Sequence, residues 1–148
     1  MEIQKVKLQM IKDNSTIYTM TKITKPKEIV ELVNVHERYD LSPTINIVVI
    51  ALDNKNQVHN YAEIATGTIN YANFSIANML RVVLLSNSNK FILVQNRPSG
   101  DTTPNEKDIR LTNEIKEASN IVGVEFLDHI IIGGEDNYTS IMSEKEED

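Results

Sequence analysis

The run Ile45-Asn46-Ile47-Val48-Val49-Ile50-Ala51-Leu52 constrains the fold of this chain more than any other segment. It is apolar almost throughout and rich in β-branched residues, without the alternation of a strand that has one wet face. Such a run reads as a central strand covered on both faces. A strand buried on two sides needs a layer above and a layer below, so helices must accompany it.

The rest of the chain supplies those layers. A turn at Asp53-Asn54-Lys55-Asn56 leads into a second strand reaching about Ala65, which Gly67 interrupts. Lys90 to Gln95 and Val124 to Ile132 read as further buried strands, with a turn at 133–137 and a short last strand from Tyr138 to Met142. Pro26 opens a helix that fades near Glu37, with Ile29, Val30, Leu32 and Val33 on its apolar face. Ser75 caps a second helix, in which Ile76, Met79, Leu80, Val83 and Leu84 recur at helical spacing. Thr103-Pro104-Asn105-Glu106 predicts the start of a third, with Thr103 as cap, Pro104 first and Glu106 closing a capping box. That helix is expected to turn Ile109, Leu111, Ile115, Ala118 and Ile121 inward and to end at Gly123. Val6, Leu8 and Met10 alternate with Lys5, Lys7 and Gln9 as a half-buried strand, with 16–22 as its hairpin partner. The expectation is one α/β domain: a mixed central sheet flanked by about three helices. Residues 1–23 form a strand or hairpin extension, 24–143 the domain, and 144–148 a disordered acidic tail.

Composition narrows the function. The absence of Cys excludes disulfides, thiolate metal sites and Cys nucleophiles, and fits a reducing compartment. The start carries no apolar stretch of signal-peptide length. No segment approaches the roughly 20 apolar residues of a membrane span, so a soluble, cytoplasmic protein is expected. The net charge of −6 is uneven: residues 1–27 carry six Lys against Glu2 and Asp13, a balance of +4 that leaves −10 on the remainder. An acidic body argues against nucleic acid, and the basic arm reads first as a solvated strand face. The five Tyr are scattered and offer no stacking platform.

The chemistry concentrates in Gln95-Asn96-Arg97-Pro98-Ser99-Gly100-Asp101, followed by Pro104-Asn105-Glu106-Lys107-Asp108, then Leu111-Thr112 and Leu127-Asp128-His129-Ile130-Ile131-Ile132-Gly133. Upstream stand Leu52-Asp53 and Glu63-Ile64-Ala65-Thr66-Gly67-Thr68. Residues 24–143 thereby resemble the RadC-like branch of the JAB/MPN (JAMM) domains. That branch typically reads His-Asn-His-Pro-Ser-Gly-Asp, Pro-Ser-x-x-Asp and, downstream, Asp-His-Ile-Ile. The resemblance implies a zinc metallohydrolase site in which two His and one Asp hold the metal, a Glu takes a proton from its water, and a Ser helps hold the oxyanion.

The matched positions depart from that pattern. Asp108 stands at the Asp and Glu63 at the general base, but the two His positions are Gln95 and Arg97 and the Ser position is Asn105. A Gln amide is a weak neutral ligand, and Arg offers no lone pair while adding a positive charge. His36, His59 and His129 fall at other positions. His129 reads as a hydrogen-bonded structural histidine on an apolar strand, and Ser99 and Asp101 as part of an inherited loop shape or a small binding loop. The expected state is a domain without zinc or other cofactor, leaning away from an enzyme. In it Arg97 pairs with one or both of Asp108 and Glu63. The expected role is protein binding or regulation, with an unidentified protein partner or a homo-oligomer, and possible provenance in a mobile element or phage. The competing expectations are residual metallohydrolase activity of peptidase or isopeptidase type, with a rearranged metal site or by metal-free chemistry through Glu63, Ser99 and Asp108, and nucleic-acid association through the basic arm.

Overall fold

Ile45–Leu52 forms strand β1, buried along all but its first residue, as its apolar run requires. The computed structural model describes residues 1–7, 11, 22–67, 74–134 and 137–146. Around β1 lie β2 (Val58–Gly67), β3 (Lys90–Asn96), β4 (Glu125–Ile132) and β5 (Tyr138–Ser140), in the spatial order β2-β1-β3-β4-β5. β1 is antiparallel to β2 and β3, β3 and β4 are parallel, and β5 is antiparallel to β4. The sheet is therefore mixed. Helices α1 (Pro26–Glu37), α2 (Ile76–Leu85), α3 (Glu106–Val122) and α4 (Ile141–Glu146) accompany it, with a 3-10 turn at Tyr39–Leu41. The parallel pair β3–β4 needs a crossover, and α3 is that crossover.

Two apolar layers hold the sheet. On one face Ile29, Val30 and Val33 of α1 pack on Val48, Ile50, Ile92, Val94, Ile130 and Ile132. On the other, Met79 and Val83 of α2 and Leu111 and Ile115 of α3 pack on Ile47, Val49, Phe91, Leu93 and Phe126. Alternate residues of each strand thus serve opposite layers.

Several boundaries differ from the sequence expectation. The α3 cap is Asn105, not Thr103: its side chain accepts from the Asp108 amide, and the Asp108 carboxylate accepts from the Asn105 amide. The buried stripe of α3 is accordingly Asp108, Leu111, Thr112, Ile115 and Ser119, while Ile121 points to solvent. Gly123 does end the helix, at a positive φ of 92°. β2 runs through Gly67 rather than stopping near Ala65. The last strand stops at Ser140, whose hydroxyl accepts from the Ser143 amide while Asp128 accepts from the Met142 amide. Those contacts turn the chain into α4, so Glu144–Glu146 are helical and not a disordered tail. Residues 1–7 are exposed and have no regular structure, and Lys22 bridges to Gln57. The remainder of the expected hairpin lies outside the described residues.

Candidate functional site

The last residues of β3 and the one after it point alternately to the two faces. Gln95 is paired in register with Ile47 and faces α3, where it is almost fully buried. Arg97 reaches the same side. One guanidinium nitrogen donates to Asp108 Oδ2 at 2.6 Å and the other to the Thr103 carbonyl at 2.9 Å. Asp108 has no exposed surface at all. Its Oδ2 also accepts from the Asn105 amide at 2.8 Å, and Gln95 Nε2 lies 3.5 Å from its Oδ1. A buried carboxylate is costly unless it is paired and hydrogen-bonded, and here it is both.

His129 on β4 extends the cluster inward. Its Nε2 lies 2.7 Å from Gln95 Oε1, and its Nδ1 lies 2.8 Å from the Thr112 hydroxyl. That hydroxyl also sits 2.9 Å from the Asp108 carbonyl oxygen and has one proton to give. Burial pushes His129 down to about 4, with Asp108 pulling it up and Arg97 pushing it further down. The ring is therefore neutral at pH 7. Nε2–H then donates to Gln95, and Thr112 donates to Nδ1. His129 thus fills the structural role read from sequence, yet it sits directly behind Gln95. The roles of Thr112 and of this contact were not foreseen; the adjacent Leu111-Thr112 and Asp128-His129 matches were the signal that pointed to them.

Asn96 faces the α1 side and builds a second network. Its amide donates to the carbonyls of Tyr39 (3.2 Å) and Thr44 (2.8 Å), and its oxygen accepts from the Asn46 amide. Glu63 belongs here. Its carboxylate accepts from the Tyr39 hydroxyl, and the Thr66 hydroxyl lies within hydrogen-bond reach of both the Glu63 carboxylate and Asn46 Oδ1, with one proton to share between them. Of the two carboxylates expected to pair with Arg97, singly or together, Asp108 does so, while Glu63 is turned to the other layer. The cause is a register shift between Ile47 and Val48. Ile47 pairs with Ala65 but Val48 with Glu63, so one extra residue of β2 is accommodated. A one-residue slip sends a side chain to the opposite face. Without it Glu63 would oppose Val49, which lies in the layer under α2 and α3.

The remaining candidates shape the loop. Ser99 accepts from the Asp101 amide at 3.4 Å, and Asp101 accepts from the Thr103 amide at 3.0 Å. Both are exposed, and the Thr103 amide holds the Asp101 carboxyl below its usual range. From outside, Asn137 donates to the Gly100 carbonyl and Thr139 to the Thr102 hydroxyl. Gly133 lets these segments touch: a Cβ there would lie 2.7 Å from the Gly100 oxygen. Asn105, at the oxyanion position, has its amide and side chain engaged with Asp108.

As a donor set the cluster is a poor match for zinc. Asp108 already holds a guanidinium, Gln95 offers a neutral amide, and Arg97 brings positive charge to the place a cation would need. Among the described residues, no three His, Cys, Asp or Glu side chains converge as a metal site.

The model of the RadC-like JAB domain matches residues 23–147. The chain belongs to the RadC-like JAB family. Similar relatives carry the name UPF0758 protein. The one from Staphylococcus epidermidis is 33% identical over 130 residues, which is 88% of this chain and 56% of the relative. The one from Carboxydothermus hydrogenoformans is 38% identical over 99 residues, 67% of this chain and 43% of the relative. The chain spans about half the length of the curated relatives it matches. No helix of this JAB domain, among the described residues, is long and apolar enough to cross a membrane.

Proposed function

We propose that this JAB domain is a metal-free binding or regulatory module that acts through a protein partner in a reducing compartment such as the cytoplasm. The supporting observation is the 2.6 Å pair between Arg97 and the fully buried Asp108. In this reading the guanidinium supplies the positive charge that a cation gives elsewhere in the family, and it fixes the loop from the Thr103 carbonyl to the helix start. Gln95 completes the plug by bridging Asp108 and His129. The wider MPN group offers a parallel, since members lacking metal ligands there serve as scaffolds or pair with active members. No proton-transfer step is assigned to Glu63, because Tyr39 and Thr66 engage its carboxylate on the other face.

Metal content tests the reading. Protein purified without a His tag is compared by elemental analysis with a Gln95→His/Arg97→His double variant. The natural chain is expected to carry no stoichiometric zinc and the double variant about one per chain. Stoichiometric metal in the natural chain would overturn the proposal and make hydrolase assays the next step.

A further inference from the structure

Ser143 is the exposed end of a hydrogen-bonded chain that runs into the core. Its hydroxyl lies 2.9 Å from Ser140 Oγ, and Ser140 Oγ in turn reaches Oδ2 of the buried Asp128. An ionised carboxylate only accepts, so the single proton of Ser140 goes to Asp128, and Ser143 donates to Ser140. The Ser143 amide also reaches Ser140 Oγ, at 3.4 Å, so that oxygen gives one proton and accepts two. The other oxygen of Asp128 takes the Met142 amide at 3.2 Å and the His129 amide at 2.7 Å. These bonds begin α4 and hold it against β4, with Ile141 fully buried.

A helix of six residues is too short to stand by itself, so α4 depends on the contacts at its start. The flank of Ser143 is distinctive as well. Glu144, Lys145 and Glu146 follow it, which puts an acid at the first and third places on. Of all the serines and threonines, only Thr103 also has an acid three places on, and Pro104 follows it directly. We infer that Ser143 is a phosphorylation site for a kinase that selects acidic residues C-terminal to its target, and that the phosphate releases α4 from β4. The Ser143 oxygen attacks the γ-phosphorus of ATP, the bond from that phosphorus to the oxygen bridging the β-phosphate breaks, and ADP leaves. The hydroxyl proton passes to the catalytic carboxylate of the kinase. Ser140 then loses the donor it had, and a near-dianion stands two hydrogen bonds from the buried Asp128 carboxylate. A phosphate at a helix start is otherwise favourable, but a helix this short has little dipole, and the buried charge behind it has the same sign. The two anions compete for the one Ser140 proton, and the start of α4 lets go. Asp128 faces away from His129 on β4, so the inference does not rest on the metal-free reading.

Phosphorylation of the full chain tests it. The chain is incubated with Mg-ATP and the catalytic subunit of an acid-directed Ser/Thr kinase, then digested for peptide mass analysis. One phosphate per chain is expected, on Ser143, and none on a Ser143→Ala variant. A kinase that selects basic flanks is expected to leave Ser143 unmodified. Amide hydrogen exchange on the modified chain reads the release. The Met142 amide is expected to exchange about tenfold faster than in the unmodified chain, while the amides of α3 keep their rates. Absence of phosphate on Ser143 overturns the site, as does a Ser143→Ala variant that takes up as much as the natural chain. A modified chain whose Met142 amide exchanges as slowly as before overturns the release of α4.

Discussion

Asp108 holds two jobs on one oxygen. Its Oδ2 closes the cap of α3 by accepting from the Asn105 amide, and it accepts from Arg97 as well. Removing Arg97 would strand a buried charge, so Arg97→Ala is expected to cost about 3 kcal/mol in chemical denaturation. Arg110→Ala, on the exposed side of the same helix, should stay within about 0.5 kcal/mol. An Arg97→Ala loss no larger than the Arg110→Ala loss would sink the ion-pair reading. His129 makes a second prediction. It is neutral in the fold down to about pH 4, whereas the unfolded chain binds its proton near 6.5. Between those values the unfolded state holds more protons, so stability is full above about pH 6.5 and falls as the pH drops towards 4. The difference is on the order of 3 kcal/mol and is complete below pH 4. Denaturation at pH 7 and pH 4.5 should show a steeper loss for the natural chain than for His129→Gln.

At the scale of elements, α3 shows what a sequence alone could and could not decide. Two capping patterns overlap there, Thr103 with Glu106 and Asn105 with Asp108, and local preference favours neither. The choice is made upstream at Arg97, which takes the Thr103 carbonyl and the Asp108 carboxylate together. Asn105→Ala should therefore cost about 1 kcal/mol in thermal unfolding. Thr103→Ala keeps the carbonyl that Arg97 uses and should cost no more than a few tenths. Equal losses would return the cap to Thr103. The strands were legible for the opposite reason. β1 is apolar but for Asn46, and β3 over residues 91–94, and runs of that length with β-branched residues read as strands covered on both faces. The buried polar stripe of α3 was not legible, since Asp108, Thr112 and Ser119 lie in the core by virtue of tertiary packing and partners rather than of apolarity.

At the scale of the molecule, the family loop and the placement of Gln95, Arg97 and Asp108 around one point followed from matched motifs. The place of Glu63 did not. It depends on the slip between Ile47 and Val48, a property of how two strands pair and not of either strand's residues. The loop is also fixed from afar, where the β4–β5 connection crosses it at Gly133 and Gly100. A side chain at position 133 would meet backbone oxygen that cannot swing aside. Gly133→Ala is thus expected to destabilise the whole domain by about 2 kcal/mol in urea, with an unchanged slope against denaturant. A neutral substitution would show that the two segments separate freely.

The alternation at Gln95, Asn96 and Arg97 has a consequence for how such a protein drifts. Positions 95 and 97 serve the chemistry of one layer, while position 96 fastens the 39–46 segment to the other. The pleat insulates the two duties from each other at a spacing of one residue. Ligands can be exchanged on one side without loosening the anchor on the other, so a lineage can abandon a reaction and keep its architecture. The strand behaves like a two-sided circuit board, rewired on one side while the other stays soldered.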